Sequence, residues 1–293
     1  MTPTARVTAR VEALWRYPVN SMAGEGVSSA QLTIEHGLVG DRAYALLDVE
    51  TGHVVSAKQP ARWGSLLDHR ARSTDGRVAV TLLDGSVATS DAADVDARLS
   101  RALGRAVRLV DAPPRQASFD EVDGPRDSVV PLAVAAPAGT LFDFAPIHLL
   151  TTTSLATLSR ACPDARFDVA RFRPNLVLHT DDEAGFPENA WVGHSLRVGA
   201  ATLCVVATCP RCVMTTLVQR SLPADPRILA TVVEQNMQLF ALRAKKLPTI
   251  GVYATVVAGG VVVPRDEVHL ESGGGWQRFS ALVRAMTRAV RRS

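Results

Sequence analysis

Polar and apolar positions alternate over much of the chain, and that period of two predicts strands. "ARVTARVEALWRYP" alternates from the start, and "VSSAQLTIEHGLVGDRAYALLDVETGHVVSA" adds strand-like runs punctuated by Gly37, Gly40 and Gly52. "RVAVTLLDGSVATS" predicts a hairpin turning at Asp84-Gly85. A short helix is predicted in "AADVDARLSRALG", with Asp91 as N-cap and Gly104 closing it. Residues 111–128, "DAPPRQASFDEVDGPRDS", are polar and proline-containing and are predicted as a linker or long loop. "TTTSLATLSRAC" then has helical spacing, "RFRPNLVLHT" enters a strand, and "SLRVGAATLCVVATC" is strongly β. "DPRILATVVEQNMQLFALRAKK" carries helical spacing throughout, and "GVYATVVAGGVVVP" predicts a hairpin around Gly259-Gly260. After residue 271, "ESGGGWQRFSALVRAMTRAVRRS" is a glycine hinge and a basic amphipathic helix. Many short strands with few helices predict a mainly β fold with flanking helices, of barrel or sandwich type. No G-x-G-x-x-G or P-loop occurs, so nucleotide-binding folds lose their main support.

Composition narrows the classes. At 293 residues and 47% hydrophobic content, the chain can build one or two cores. A formal charge of +3 is small for this length and does not point to a nucleic-acid binder. The basic tail (Arg278, Arg284, Arg288, Arg291 and Arg292) reads as a solvated face, with an acidic redox partner or nucleic acid as the competing readings. The first residues contain no apolar run of signal-peptide length, and Pro131, Pro137, Asp143 and Pro146 interrupt the most apolar stretch. No membrane association is expected. Four unevenly placed cysteines do not make a secreted disulfide framework, so the expected compartment is the cytosol.

Three of those cysteines lie in "LCVVATCPRC". Cys-x4-Cys-x2-Cys is a two-iron ferredoxin spacing, but no cysteine follows Cys212 to supply the last ligand. Zinc would need Cys209 and Cys212 plus distant partners, and the nearest histidines, His179 and His194, form no His-x3–5-His pair. A thioredoxin-like Cys-Pro-Arg-Cys normally opens a helix, whereas β-branched Thr215 and Thr216 follow here. Cys162 and Cys204 read as small buried hydrophobes. Cys209 and Cys212 remain, at a strand end beside Arg211.

At this point the chain resembles MOSC-domain proteins. "YPVNS", "GLVGDRAY", "RFRPN", "PRCVMTT" and "IGVYATV" occur in the order found in that family, with "WVGHSLRVG" between them, covering roughly residues 7–270. The family includes the C-terminal domain of molybdenum cofactor sulfurases and the mitochondrial amidoxime-reducing component. The resemblance implies a MOSC-type β-barrel preceded by an N-terminal β-barrel region. The domains expected are 1–110 for that region, 111–128 linker, 129–270 MOSC domain and 271–293 tail helix. It also implies a molybdenum cofactor (molybdenum-molybdopterin) whose metal is held by the cysteine of the Arg-Cys dipeptide, here Cys212. A soft thiolate suits such a metal, and Arg211 is expected to keep it ionised, leaving Cys209 supporting or inert. Arg42 and Arg173 match positions that hold the anion and pterin, Ser21 the phosphate-binding serine, and Tyr253 the tyrosine near the metal. Asn175 offers donor and acceptor to pterin edges, and Ser154 is a further candidate anion donor. Where the family commonly has Lys before that serine, this chain has Asn20. The activity implied is two-electron reduction of N-hydroxylated small molecules, with electrons from a separate donor protein. Sulfur transfer through a Cys212 persulfide and a non-enzymatic cofactor carrier are the competing readings.

Overall fold

The computed structural model of the protein describes residues 7–74, 76–111, 118–123, 130–135, 141–142, 144–240 and 245–271. Its centre is a closed barrel of seven strands. In chain order these are β1 (Val7–Arg16), β2 (Ile147–Thr151), β3 (Leu176–His179), β4 (Ser195–Val198), β5 (Ala201–Pro210), β6 (Lys245–Ala258) and β7 (Glu267–Glu271). Around the ring the order is β2-β3-β1-β7-β4-β5-β6, and β6 pairs back to β2. Every pairing is antiparallel except β2 with β3, which are joined through helix Thr152–Ala161.

The period of two in the sequence is the period of the barrel wall. Ile147 and Leu149, Leu176 and Leu178, Leu196 and Val198, Leu203 and Val205, and Val252, Ala254 and Val256 all point into one apolar core. Strand β1 contributes Ala9, Val11 and then Leu14; a bulge between Val11 and Ala13 shifts the register and returns Leu14 to the inside. The outer face of β2 places Leu150 against helices Thr152–Ala161 and Arg227–Gln235, in a second core with Phe172, Ile228 and Val232. Most of the N-terminal part forms small antiparallel sheets, among them 70–74 with 77–81 and 87–89, around Met22, Leu46, Trp63, Val78 and Leu99. The chain is therefore mainly β with flanking helices.

Several local expectations need correction. The helix Val95–Leu103 is preceded by Asp94; Asp91 instead pairs with Arg77 at 2.8 Å, while Gly104 closes the helix as expected. The helix beginning at Arg227 stops at Gln235, and Met237–Phe240 is a strand on β6. Gly259-Gly260 is no hairpin, because 260–262 leaves β6 and pairs with Ala30–Thr33. Within the stretch read as linker, Ser118–Asp123 pairs with Val130–Ala135. The tail helix lies outside the described residues. Among the described residues no helix is long and apolar enough to cross a membrane.

Candidate functional site

The candidate thiols sit where β5 leaves the barrel. Register shifts between Val205 and Ala207 and between Thr208 and Pro210 make the end of β5 irregular while it stays paired with β6. Pro210 ends the ladder, and the Arg211 N–H still donates to the Pro248 carbonyl (2.8 Å). Cys212 then opens a single 3-10 turn, Val213–Thr216. The paired threonines hold that turn: Thr215 Oγ1 donates to the Cys212 carbonyl (3.0 Å) and Thr216 Oγ1 to that of Val213 (2.7 Å). The Cys212 thiol is exposed, whereas Cys204 and Cys209 are buried.

Arg211 interacts electrostatically with Cys212, but it makes its hydrogen bonds elsewhere. Its Nη1 donates to Cys209 Sγ (2.9 Å) and its Nη2 to the Phe172 carbonyl (2.9 Å), with the guanidinium over the Phe172 ring. Burial alone would push the Cys209 thiol up; electrostatic interaction with His148 and Arg211 and hydrogen bonds from His148 and Tyr253 outweigh it and bring the thiol down to about 6. Cys209 is thus neither inert nor a mere filler. It is a buried sulfur that balances a buried guanidinium.

A second group of residues gathers around Tyr17. The Arg173 guanidinium carbon lies 4.3 Å from the Tyr17 ring centre and that of Arg42 lies 5.4 Å from it. Asp41 holds this arrangement, since its Oδ1 accepts from the Tyr17 N–H (2.7 Å) while its Oδ2 accepts from Arg42. Arg173 Nη1 donates to the carbonyl of Met22, the residue after Ser21. Ser21 Oγ accepts from the Ala57 N–H (3.1 Å). Ser21, Arg42 and Arg173 have φ of 62°, 48° and 56°, a left-handed conformation that non-glycine residues adopt at a cost. Two of these three residues lie over one ring, and two buried polar atoms of the segment 17–21, Tyr17 Oη and Asn20 Nδ2, lack a hydrogen-bond partner. Burial raises the Tyr17 phenol, although Arg173, Arg42 and Arg211 oppose it. Arg211, next to Cys212, therefore belongs to the same electrostatic neighbourhood.

Of the remaining candidates, Tyr253 hydrogen-bonds Cys209 and helps to lower its thiol. Asn175 is buried at the start of β3, and its amide is engaged by the fold: Oδ1 accepts from the His148 N–H (3.0 Å) and Nδ2 donates to the Trp15 carbonyl (3.4 Å). Tyr253 is half-buried on the outer face of β6, 5.1 Å from the Phe144 ring and 5.8 Å from that of His148. Ser154 is corrected as an anion donor. It is fully buried, and its hydroxyl donates to the Glu188 carboxyl (2.7 Å), which burial pushes toward its neutral form, so the hydroxyl proton is already used within the fold. His179 and His194 are exposed, and among the described residues no three His, Cys, Asp or Glu side chains gather to hold a metal.

Residue-by-residue reading missed Tyr17, although it begins "YPVNS", and missed His148 in "PIHLL". The signal for His148 was a lone polar residue in an apolar strand. Its ring nitrogens lie 3.4 Å from the Arg173 carbonyl and 3.3 Å from that of Ile250. Gly251, at φ 77°, makes room for the ring, because a Cβ there would lie 2.3 Å from His148 Nε2.

Comparison with known proteins adds the following. Residues 138–269 match the MOSC domain and residues 8–108 the MOSC N-terminal beta barrel domain. The chain is 26% identical to "Mitochondrial amidoxime reducing component 2" of Homo sapiens, over 88% of this chain and 82% of that protein. It is 25% identical to the Bos taurus protein of the same name, over the same shares. The crystal structure of the YUAD protein from Bacillus subtilis covers 91% of this chain and 97% of that one at 12% identity; its TM-score of 0.45 carries no argument.

Proposed function

The chain belongs to the MOSC-domain family, and from that premise we propose that it is a molybdenum-cofactor-dependent reductase of N-hydroxylated small molecules. The observation that carries this reading is the Tyr17 pocket. Two guanidinium groups over one ring and two buried polar atoms without a hydrogen-bond partner form a donor set that suits a polar anion. A cofactor with a phosphate and a polar pterin fits that donor set. In this proposal Arg42, Arg173 and Ser21 hold the anionic part, with Tyr17 Oη and Asn20 Nδ2 as further donors. Cys212 is the metal ligand, since it is an exposed thiol next to that pocket's third arginine. Asn175 shapes the pocket through the backbone, and Tyr253 lines the approach from the outer barrel face.

When bound, the cofactor supplies a metal centre that exchanges two electrons and takes oxygen from a substrate nitrogen. The protein's share is positioning: the 3-10 turn fixes the thiol, and the arginines hold the anion. The printed names of the relatives support the reductase class. Electrons would come from a separate donor protein, and a cytosolic location belongs to the same proposal. The reading divides the chain at 1–110, 111–128, 129–270 and 271–293.

Elemental analysis of protein made in a cofactor-competent host tests it. About one molybdenum per chain is expected, the stoichiometry of a single Cys-ligated centre. Cys212→Ser should lose the metal and Cys204→Ala should keep it. Metal-free protein with a labile sulfane sulfur on Cys212 would replace this reading with sulfur transfer. A loaded protein that reduces no N-hydroxylated compound would make the chain a carrier.

A further inference from the structure

The motif "RFRPN" contains a second arginine that the proposed site does not use. Arg171 is among the largest fully buried side chains, lying in the one-turn helix Val169–Phe172. All three guanidinium nitrogens are spent on backbone carbonyls. Nε donates to Arg166 (3.0 Å), Nη1 to Thr215 (3.1 Å) and Leu217 (3.3 Å), and Nη2 to Pro223 (2.8 Å). A buried cation spread over carbonyls, with no carboxylate among its hydrogen-bond partners, is a costly way to add stability alone. Its geometry has another use. Thr215 and Leu217 lie just after Cys212, and Pro223 lies where the same segment returns toward the helix Arg227–Gln235.

Other contacts hold that segment locally, among them Gln219 Nε2 to the Met214 carbonyl (3.1 Å) and the Arg220 N–H to Asp68 Oδ1 (2.7 Å), while Arg171 ties residues 215, 217 and 223 together. Between residues 213 and 225 the segment forms one 3-10 turn, a bridge of Gln219 with Leu222, and backbone bonds such as Asp225 N–H to the Thr216 carbonyl (2.8 Å). The helix bearing Arg171 also presents the Phe172 carbonyl to Arg211 and ends at Arg173, over Tyr17. Three consecutive residues therefore touch the thiol segment, the arginine beside the thiol and the anion pocket.

We propose that Arg171 is a positioning residue that clamps the Cys212 segment and sets it in register with the Tyr17 pocket. The claim deepens the proposed function, since it takes Cys212 as the working thiol. Lysine can replace it only in part, because a single ammonium cannot span carbonyls on residues 166, 215 and 223 together.

The test uses the full chain and reads Cys212 alkylation by iodoacetamide, resolved by peptide mass spectrometry, under conditions where every variant is folded. Arg171→Met should change the Cys212 rate by about tenfold or more, as expected when charge-assisted hydrogen bonds holding a segment are lost. Arg171→Lys should recover part of the wild-type rate. Leu99→Ala, in the separate N-terminal core, should lose comparable stability and leave the Cys212 rate unchanged. Molybdenum content should fall in both Arg171 variants. Wild-type alkylation rates in both would overturn the clamp, as would an equal change in Leu99→Ala. If Arg171→Met does not fold, wild-type amide exchange decides. Leu217 and Asp225 should be protected nearly as well as the barrel strands, and free exchange at both would overturn the proposal. A chain that binds no molybdenum but shows these alkylation differences would reject the reductase reading and keep the clamp.

Discussion

The barrel interior and the pocket around Tyr17 are both buried, yet they are built on opposite terms. Inside the barrel, Leu149, Leu203, Val205 and Val252 meet only other apolar side chains. A few residues away, Tyr17, Asn20 and Arg211 bury polar atoms that meet nothing, and Ser21, Arg42 and Arg173 hold strained backbones. Each left-handed non-glycine residue costs about 1–2 kcal/mol, and each partnerless buried polar atom about 1–3 kcal/mol. The barrel supplies the surplus that sustains such a region. Arg173 takes its left-handed backbone as the C-cap of the helix Val169–Phe172, so the contrast rests on Ser21, Arg42 and the unpaired polar atoms rather than on strain alone.

The largest expected effect tests that contrast. Leu203→Ala removes a fully buried barrel side chain and should cost about 2–5 kcal/mol in urea denaturation. Cys212→Ser alters an exposed side chain and should stay within about 0.5 kcal/mol of wild type. If Cys212→Ser destabilised as much as Leu203→Ala, the thiol would be part of the fold, and the contrast would fail.

An intermediate effect should appear at Cys209, which belongs to both regions. Its thiol is lowered in the folded protein from 9.0 to about 6. A group whose folded value is depressed stabilises the fold above its unfolded value and loses that contribution as pH falls through the folded one. Between pH 9 and about 6 the advantage of wild type over Cys209→Ala should therefore shrink, and it should level off below 6. Denaturation curves of both proteins across that range check the sign. An advantage that grew as the pH fell would show that Cys209 is not a buried thiolate balancing Arg211.

The same contrast explains what could be read from the sequence. Much of the barrel was legible because alternation is a local signal, as in β1, β4 and β5, whereas β2 lies in a stretch that the sequence marked only as apolar. "NMQLFAL" was not, because a short apolar run fits a helix or a strand, and only pairing with β6 decides it. The Gly259-Gly260 hairpin failed for the same reason: its true partner, Ala30–Thr33, is distant in sequence. At the site, Arg42 and Arg173 were found through their motifs, and both lie over Tyr17. Sequence adjacency pointed Arg211 to Cys212, with which it does interact electrostatically, but gave no sign of its hydrogen bond to Cys209. Ser154 looked like a helix-mouth donor, but Glu188, thirty-four residues later, occupies its hydroxyl. Nothing local to either residue announces that pair.

The smallest effect concerns the pocket's charge. Asn20 is buried, its Nδ2 lacks a partner and it carries no charge, so Arg42 and Arg173 supply the positive field at Tyr17. Arg42→Ala and Arg173→Ala should each weaken cofactor retention on dialysis more than Asn20→Ala does, and the gap should widen as salt screens the remaining charge. Asn20→Lys should tighten retention, by about tenfold at most at low salt, because one added cation near an anion is worth roughly 1 kcal/mol under partial solvent screening. Molybdenum content after dialysis at low and high salt reads all four variants. Retention indifferent to both arginines would remove the anion from this pocket. If Asn20→Lys tightened retention equally at all salt concentrations, packing and not charge would be the cause, and the field assigned to Arg42 and Arg173 would have to be revised.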